Sequence, residues 1–168
     1  MTDSNLPLWH DDLFACYPAM IERLQTLVKD GTVKIIKEAD DISDLFPDGE
    51  NGSRRLPLDG AIYVIFDSVN PTGDSNDNGK NQEHEIGFSL VYTVKKYNFR
   101  GLSGMSVGKV LARIGKCMNG FEPAKDGRTL TLSPFEQRNP LPVQYKNGFG
   151  YFSLRYVTTV ATYATDFD

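Results

Sequence analysis

The chain has 168 residues, enough for one domain with a sizeable core, and its 40% apolar and 24% charged composition is that of ordinary globular proteins. Its formal charge of −4 and pI near 5.2 argue against a dedicated nucleic-acid-binding surface, which is usually basic. They do not exclude a protein that surrounds DNA without binding it. The N-terminal residues lack the basic region of a secretory signal, and no apolar run is long enough to span a membrane. Cys16 and Cys117 provide neither a disulfide framework nor a metal half-site. We expect a single domain over residues 1–168 with two reduced thiols in a cytosolic setting.

The first predicted element is a helix over residues 11–29, because apolar side chains recur there at three- and four-residue intervals. Pro18 is expected to disturb its first turns, and Gly31 to end it. A short strand is predicted over residues 33–37. Residues 38–50 then carry six carboxylates and no basic side chain, which predicts a solvated acidic loop. Within that loop, Ile42, Leu45 and Phe46 are expected to hold one short helical turn.

Two strands are predicted at the centre of the chain. Residues 61–66 are apolar at every position, so this strand should be covered on both faces. Residues 85–94 alternate, which predicts one core face and one wetter face. The connection over residues 67–85 carries five acidic residues against Lys80 and is predicted to be a long polar hairpin loop. Its expected partner-contacting residues are Asp74, Asp77, Lys80 and Glu83.

The C-terminal half begins with a second predicted helix over residues 107–121, followed by a short strand over residues 129–132. Residues 134–142 contain three prolines and should be irregular or form a sheet edge. Asn147-Gly148 predicts a two-residue hairpin turn. The final strand, residues 149–163, could reach roughly 50 Å, so it should either bend around a barrel or extend beyond its own sheet to meet a neighbour.

These elements predict an α+β fold, with a mostly antiparallel sheet, two amphipathic helices packed on one face and a long hairpin loop.

One motif in the hairpin loop matches the calcium-binding loop of an EF-hand. Asp74, Asn76, Asn78 and Glu85 have the spacing of its oxygen ligands, and Gly79 has the position of its glycine. An EF-hand needs a helix on each side, whereas both flanks here are predicted strands. A flexible hairpin tip explains the same residues, and a small calcium-binding module using loop 74–85 stays open as the alternative function.

A second motif, Gly104-Met105-Ser106-Val107-Gly108, matches the nucleophile elbow of α/β-hydrolases. In those enzymes the catalytic histidine follows the serine, whereas His10 and His84 both precede it here. We therefore expect Ser103 or Ser106 to cap the second helix rather than to act as a nucleophile.

The order and size of the elements resemble one known family. The features that carry the resemblance are the N-terminal amphipathic helix, the hairpin with a long polar loop, the helix that closes in Asn119-Gly120-Phe121-Glu122-Pro123, and the long C-terminal strand rich in Tyr, Thr and Val. Together they resemble the tail terminator proteins of long-tailed bacteriophages, most of all the Mu-like, contractile-tailed branch.

The resemblance implies a structural protein with no enzyme activity, cofactor or metal. Such a protein forms a homo-hexameric ring that stops polymerisation of the tail tube and offers a surface for head joining. Its implied partners are other copies of itself and the tail tube protein, together with sheath and head-completion proteins. DNA would pass through without specific binding, and no membrane is involved. The implied location is the virion tail, with assembly in the host cytoplasm.

We expect the long terminal strand to supply the contact between subunits. Tyr151, Arg155 and Tyr163 share one face of that strand and are the candidate interface residues. The alternative is that these side chains are partly buried against the helices of their own subunit.

Overall fold

The computed structural model describes residues 11–46, 56–76, 79–95 and 105–164, with the side chains of residues 74 and 76 left out. Its main element is a six-stranded sheet. The strands are β1 (Ile35–Glu38), β2 (Ala61–Asn76), β3 (Asn81–Lys95), β6 (Glu136–Arg138), β7 (Gln144–Lys146) and β8 (Phe149–Tyr163). A separate two-residue hairpin consists of β4 (Ala124–Lys125) and β5 (Arg128–Thr129).

The sheet order is β1-β2-β3-β8-β6, and β7 also pairs with β8. Every pairing is antiparallel except that of β1 with β2. The predicted α+β class is thus confirmed. The predicted strand over residues 129–132 is wrong for the most part, since only Arg128–Thr129 is a strand there.

The first helix, α1 (Tyr17–Lys29), is shorter than predicted, because residues 11–16 contain turns and no helix. Pro18 lies in its first two positions. A proline there loses no helical hydrogen bond, so it starts the helix and does not disturb it. Asp30 caps the end, and Gly31 follows with a φ of +79°.

The second helix, α2 (Val107–Met118), ends three residues before the predicted boundary, at the cap residue Asn119. Both helices pack on one face of the sheet, as predicted, around Met20, Ile114 and Tyr156, which are all fully buried. None of the helices that the structure describes is long and apolar enough to cross a membrane.

The opposite face of the sheet is also covered, which the alternation of residues 85–94 did not predict. Ser89, Val91 and Thr93, assigned to a wetter face, are all buried. A second core cluster lies over this face and includes Val91, Leu45 and Tyr151. The cover comes from the acidic segment, which folds back onto the sheet.

Within that segment, Ile42–Leu45 forms the predicted helical turn, a 3-10 helix. The carboxylate of Asp41 accepts a hydrogen bond from the backbone N–H of Ser43 at 2.8 Å, and that of Asp44 accepts one from the N–H of Asp41 at 3.1 Å. Two of the six carboxylates therefore cap a turn. Residues 47–50 of the predicted acidic loop lie outside the described residues.

The predicted hairpin loop over residues 67–85 is the largest correction. β2 continues to Asn76 and β3 begins at Asn81, so most of this connection is paired strand. Asp, Asn, Gly and Pro have low strand propensity, but the cross-strand hydrogen bonds outweigh it here. Register shifts after Phe66 and after Pro71 accommodate the irregular residues.

The C-terminal predictions are confirmed for the hairpin turn, the sheet edge and the bounds of the last strand, but not for its reach. Asn147 and Gly148 have φ values of +50° and +81°, as a tight hairpin turn between β7 and β8 requires. β6 lies at a sheet edge within the proline-rich segment. β8 has the predicted bounds, but it neither closes a barrel nor leaves its sheet, because β3 pairs with all fifteen of its residues.

Candidate assembly surface on a three-stranded arm

Three strands continue well past the two helices and form an extension of the sheet. We call it the arm and define it as residues 67–76 of β2, the turn residues 79–80 with residues 81–87 of β3, and residues 158–163 of β8. Strands of 15 and 16 residues are about three times the usual length of 5–6 residues. In the arm, residues of β2 are mostly exposed and Asn81 to Glu85 are half-buried. Ile86 and Val160 are fully buried in the core on the helix side.

An ion pair crosses all three strands where the arm begins. The guanidinium of Arg155 on β8 donates to the carboxylate of Asp67 on β2 at 3.0–3.2 Å and to the hydroxyl of Ser68 at 2.8 Å. The hydroxyl of Ser89 on β3 donates to Oδ2 of the same Asp67 carboxylate at 2.7 Å. We call these four residues, together with Gly87, the clamp.

Gly87 explains how side chains from two non-adjacent strands can meet. It lies on β3 between Ser68 and Val157. A Cβ atom at this position would come within 2.6 Å of Asp67 Oδ1 and Arg155 Nη2, and within 2.5 Å of Ser68 Oγ. Only a glycine leaves the space through which the ion pair passes over the middle strand.

The electrostatics of the clamp favour the charged pair. Burial by itself would raise the pKa of Asp67, but the hydrogen bonds from Arg155, Ser89 and Ser68 outweigh that cost, and the pKa lies below its ordinary value. The pKa of Arg155 is raised by the Asp67 carboxylate, so the guanidinium keeps its charge. Both side chains are little more than one-fifth exposed, so solvent screens the pair only in part.

The predicted interface residues share one face of β8, but their environments differ. Tyr151 is fully buried under Phe46, and its hydroxyl donates to the backbone oxygen of Leu45 at 3.0 Å. Burial raises its pKa to about 12. Arg155 belongs to the clamp. Tyr163 lies in the arm opposite Asn81 and is half-buried. Tyr151 does pack within its own subunit, but on the face opposite the helices.

Three of the four predicted partner-contacting residues lie in the arm. Asp74 lies in β2, and Glu83 lies in β3 opposite Ala161 of β8. Lys80 is exposed, and its backbone oxygen accepts a hydrogen bond from the N–H of Ala164 at 3.0 Å. Asp77 lies outside the described residues.

The described residues of the calcium-loop motif follow the two strands of this hairpin. Asn76 pairs with Asn81, and Glu85 pairs with Asn70 further down the ladder. The carboxylate of Glu85 lies 3.9 Å from the guanidinium of Arg138. Strand pairing thus places Asn76 and Glu85 at separate points of the arm, and Asn78 is outside the described residues.

Ser106 has the structural role that was expected of it. It is the N-cap of α2, and its hydroxyl accepts a hydrogen bond from the backbone N–H of Lys109 at 3.3 Å. Cys16 and Cys117 are buried, and desolvation raises the pKa of each thiol, to about 12 for Cys16.

An apolar recess lies beside the first residues of the arm, on the helix side of the sheet. Its volume is about 350 Å³, and its walls include Phe14, Tyr17, Phe66 and Phe88. Phe14 and Phe66 meet edge to face at 4.7 Å between ring centroids, yet they are 37% and 43% exposed. Sequence reasoning missed both this recess and the clamp, although a lone aspartate directly after an apolar strand was a visible signal for Asp67.

The comparisons with known proteins decide the family. A family model described as "Phage tail terminator protein" matches residues 10–165, nearly the whole chain. The chain belongs to the phage tail terminator family. A solved structure titled "Structure of bacteriophage SPP1 gp17 protein" is similar at 15% identity and a TM-score of 0.35, covering 90% of this chain and 94% of that one. A comparison with curated proteins gave no match.

This tail terminator is therefore a structural protein of a phage tail, and its place is the virion tail. The family predicted from the order of the elements is confirmed. The narrower placement in the Mu-like, contractile-tailed branch stays a prediction.

Proposed function

We propose that this tail terminator forms a homo-hexameric ring that ends the tail tube and presents the surface to which the head joins. The observation that carries the proposal is the arm: three paired strands of unusual length that the clamp ties together where the arm begins. Such an extension is suited to contact a neighbouring molecule, because its strands are already paired in the free subunit and little ordering is needed on binding.

The open edges of the arm support association with a neighbour. Among the described strands, β1 pairs with β2 only as far as Val64, and β6 pairs with β8 only as far as Val157. Beyond these points no described strand pairs with either outer edge, although on the β8 side Leu132 and Ser133 still bond both backbone groups of Thr159. An edge of this kind can take up a strand or a side-chain cluster from another chain. Pro71 and the two register shifts in β2 limit simple strand addition on that side.

The charge of the chain suits a ring around DNA. With a formal charge of −4 per subunit, a ring would not gain the counterion release by which basic proteins hold DNA. DNA could then pass without specific binding, while the contacts to tube, sheath and head-completion proteins are made by protein surfaces.

For the residues, we propose that Tyr163 and the end of the arm, with Asp74, Asp77, Lys80 and Glu83, contact a neighbouring subunit or tail component. Tyr151 and Arg155 would act indirectly, Tyr151 by holding the 3-10 helix and Arg155 by fixing the arm.

The ring is tested by native mass measurement and negative-stain imaging of the purified chain, with and without tail tube protein. We expect hexameric rings, at least when tube protein is present, and no change on adding a chelator. A chain that stays monomeric with tube protein present would refute the ring. A monomer that becomes ordered when calcium is added would favour the calcium-binding alternative.

Contact by the arm is tested by co-sedimentation of the protein with tube ends. We expect Lys80→Glu and Glu83→Lys to weaken co-sedimentation, and the matched control Lys125→Glu, on the exposed strand β4, to leave it unchanged. Equal effects at all three positions would argue against a role of the arm.

A further inference from the structure

The recess beside the arm is an apolar site that the described residues leave open to solvent. Its aromatic walls are Phe14, Tyr17, Phe66 and Phe88. Tyr17 stacks on Phe88 with 5.8 Å between ring centroids, and Phe66 meets the same ring at 5.7 Å. Phe66 and Phe14 nevertheless stay 43% and 37% exposed. Exposed aromatic side chains that are grouped in this way mark a contact site, since their apolar surface is more stable when it is covered.

The rim of the recess adds hydrogen-bond acceptors to these walls. Glu38 and Asp40 line the recess beside the aromatic rings. The hydroxyl of Tyr17 donates to Glu38 Oε1 at 2.6 Å, so this carboxylate is held by the wall itself, whereas Asp40 is exposed. The recess therefore suits a large apolar ring that carries a hydrogen-bond donor. An indole has this chemistry, because its N–H group can only donate.

The chain itself brings an indole to this place. Trp9 is the only tryptophan of the sequence and precedes Phe14 by five residues. Residues 12–15 form a turn, in which the N–H of Ala15 donates to the backbone oxygen of Asp12 at 3.2 Å. Phe14 thus fixes the point at which the chain passes the recess. The three residues from Asp12 back to Trp9 span at most about 11 Å, so Trp9 is within reach of the recess.

The neighbours of Trp9 in the sequence also suit an apolar site. Residues 6–9 are Leu-Pro-Leu-Trp, and residues 4–9 contain no charged side chain. An occupant that is attached to the chain through a short linker has an effective concentration on the order of mM, so that even a weak contact is formed most of the time. A separate partner would have to compete with it.

We propose that the recess receives Trp9 of the same chain, with the indole against Phe66 and Phe88 and its N–H directed to the carboxylate of Asp40. Residues 6–9 would then join the layer of α1 to the first residues of the arm. The contact lies within each subunit and goes beyond the proposed ring, since it holds for a monomer as well. It also implies that the recess is filled before assembly, which leaves the end of the arm as the surface for a partner.

Tryptophan fluorescence of the full chain tests the contact, because Trp9 is the only tryptophan. In the folded wild-type chain we expect emission at a shorter wavelength than in urea, and weaker quenching by acrylamide, since the indole is removed from water. Both properties should be independent of protein concentration. An emission that shifts only at concentrations at which rings form would overturn the contact within the subunit and identify a second copy as the occupant. Emission equal to that of the unfolded chain would overturn docking of Trp9 altogether.

Variants of the recess locate the indole. Phe66→Glu places a carboxylate in the aromatic wall and should shift the emission to that of the unfolded chain. Asp40→Lys should give part of this shift, whereas Asp40→Asn, which keeps an oxygen acceptor, should not. The matched control is Leu132→Glu, on the β8 side of the sheet and 46% exposed in the wild type, which should leave the emission unchanged. If Phe66→Glu folds by circular dichroism and keeps the short-wavelength emission, Trp9 lies elsewhere and the proposal is wrong.

Thiol labelling tests the same contact without altering the aromatic wall. Ala39 lines the recess and is half-buried. The thiol of Ala39→Cys should react with iodoacetamide several-fold more slowly than that of Ala39→Cys/Trp9→Ala, because the indole covers it. The native thiols are buried with raised pKa values and should stay silent. As a control, Leu132→Cys should react at the same rate with and without Trp9. Equal rates for Ala39→Cys in the two backgrounds would overturn the proposal while leaving the ring untouched.

Discussion

The same three strands, β2, β3 and β8, form two regions with opposite properties. In the first region, which we call the base, they run over residues 61–66, 88–95 and 149–157, with helices on one face and the 3-10 segment on the other. In the arm, the ladder between the strands continues, but the cover becomes partial: Ile86 and Val160 still belong to the core on the helix side, whereas the β2 residues are mostly exposed. The comparison shows that hydrogen bonding sets how far a sheet extends, while burial sets how much each part contributes to stability.

The clamp lies at the boundary between these regions. Ser89 is buried in the base, whereas Asp67 begins the arm. This charged pair joins β2 to β8 across β3 at the point where the residues of β2 become exposed. The β2 part of the arm is therefore tied to its neighbours while its surface stays available for a partner.

The largest expected difference between the two regions comes from core truncation. Phe88→Ala, in the base, should lower the free energy of unfolding by about 3–5 kcal/mol, because the ring is 1% exposed and would leave a cavity. Val69→Ala, in the arm, should cost less than about 1 kcal/mol, since that side chain is already largely in water. Urea unfolding of both variants measures the difference, and similar costs would contradict the contrast between base and arm.

A substitution at the boundary should have the next largest effect. Gly87→Ala places a methyl group against three clamp atoms at 2.5–2.6 Å, and we expect a loss of about 1–3 kcal/mol from this overpacking. Hydrogen exchange should show faster opening of amides in the arm than in the base. Gly108→Ala, where no atom lies within 4 Å of the added Cβ, serves as the control.

Because the clamp contains the charged carboxylate of Asp67, its contribution to the free energy of unfolding should depend on pH. Asp67→Asn should cost about 1–3 kcal/mol at neutral pH, because it weakens a charge-assisted hydrogen-bond network. The native pKa of Asp67 is lowered, so its contribution is fully present above the unfolded value of about 3.9 and is lost as the pH falls through the lower native value. Urea unfolding at several pH values should show the wild-type and variant stabilities converging below about pH 4. A constant difference at every pH would argue that the aspartate acts without its charge.

The smallest expected effect lies outside both regions. Ser106→Ala removes the N-cap of α2 and should cost about 0.5–1 kcal/mol. Ser106→Asp, which can also accept the cap hydrogen bond, should restore most of that loss. Thermal unfolding measures both. Ring assembly should be unchanged in each variant, and its loss in a folded Ser106→Ala protein would point to a chemical role for the hydroxyl.

Local patterns in the sequence predicted the elements of the base. The three- and four-residue spacing of apolar side chains located α1 and α2, and the uniformly apolar residues 61–66 identified a strand covered on both faces. Asn147-Gly148 identified the last hairpin because few residues adopt two successive left-handed conformations. Each of these signals depends on neighbours in the chain, and the order of the elements they define was sufficient to identify the family.

The tertiary structure alone decided the arm. Residues 67–76 have poor strand propensity, and they are strand because β3 pairs with them and β8 in turn pairs with β3. The clamp joins Asp67 to Arg155 through a gap at Gly87, and no local pattern encodes a contact between residues so far apart in the chain. The sequence by itself thus determined which elements form and which family they belong to. The pairing of distant strands determined how far the sheet extends and which surfaces it leaves open, because hydrogen bonds and burial between distant segments outweigh local preference.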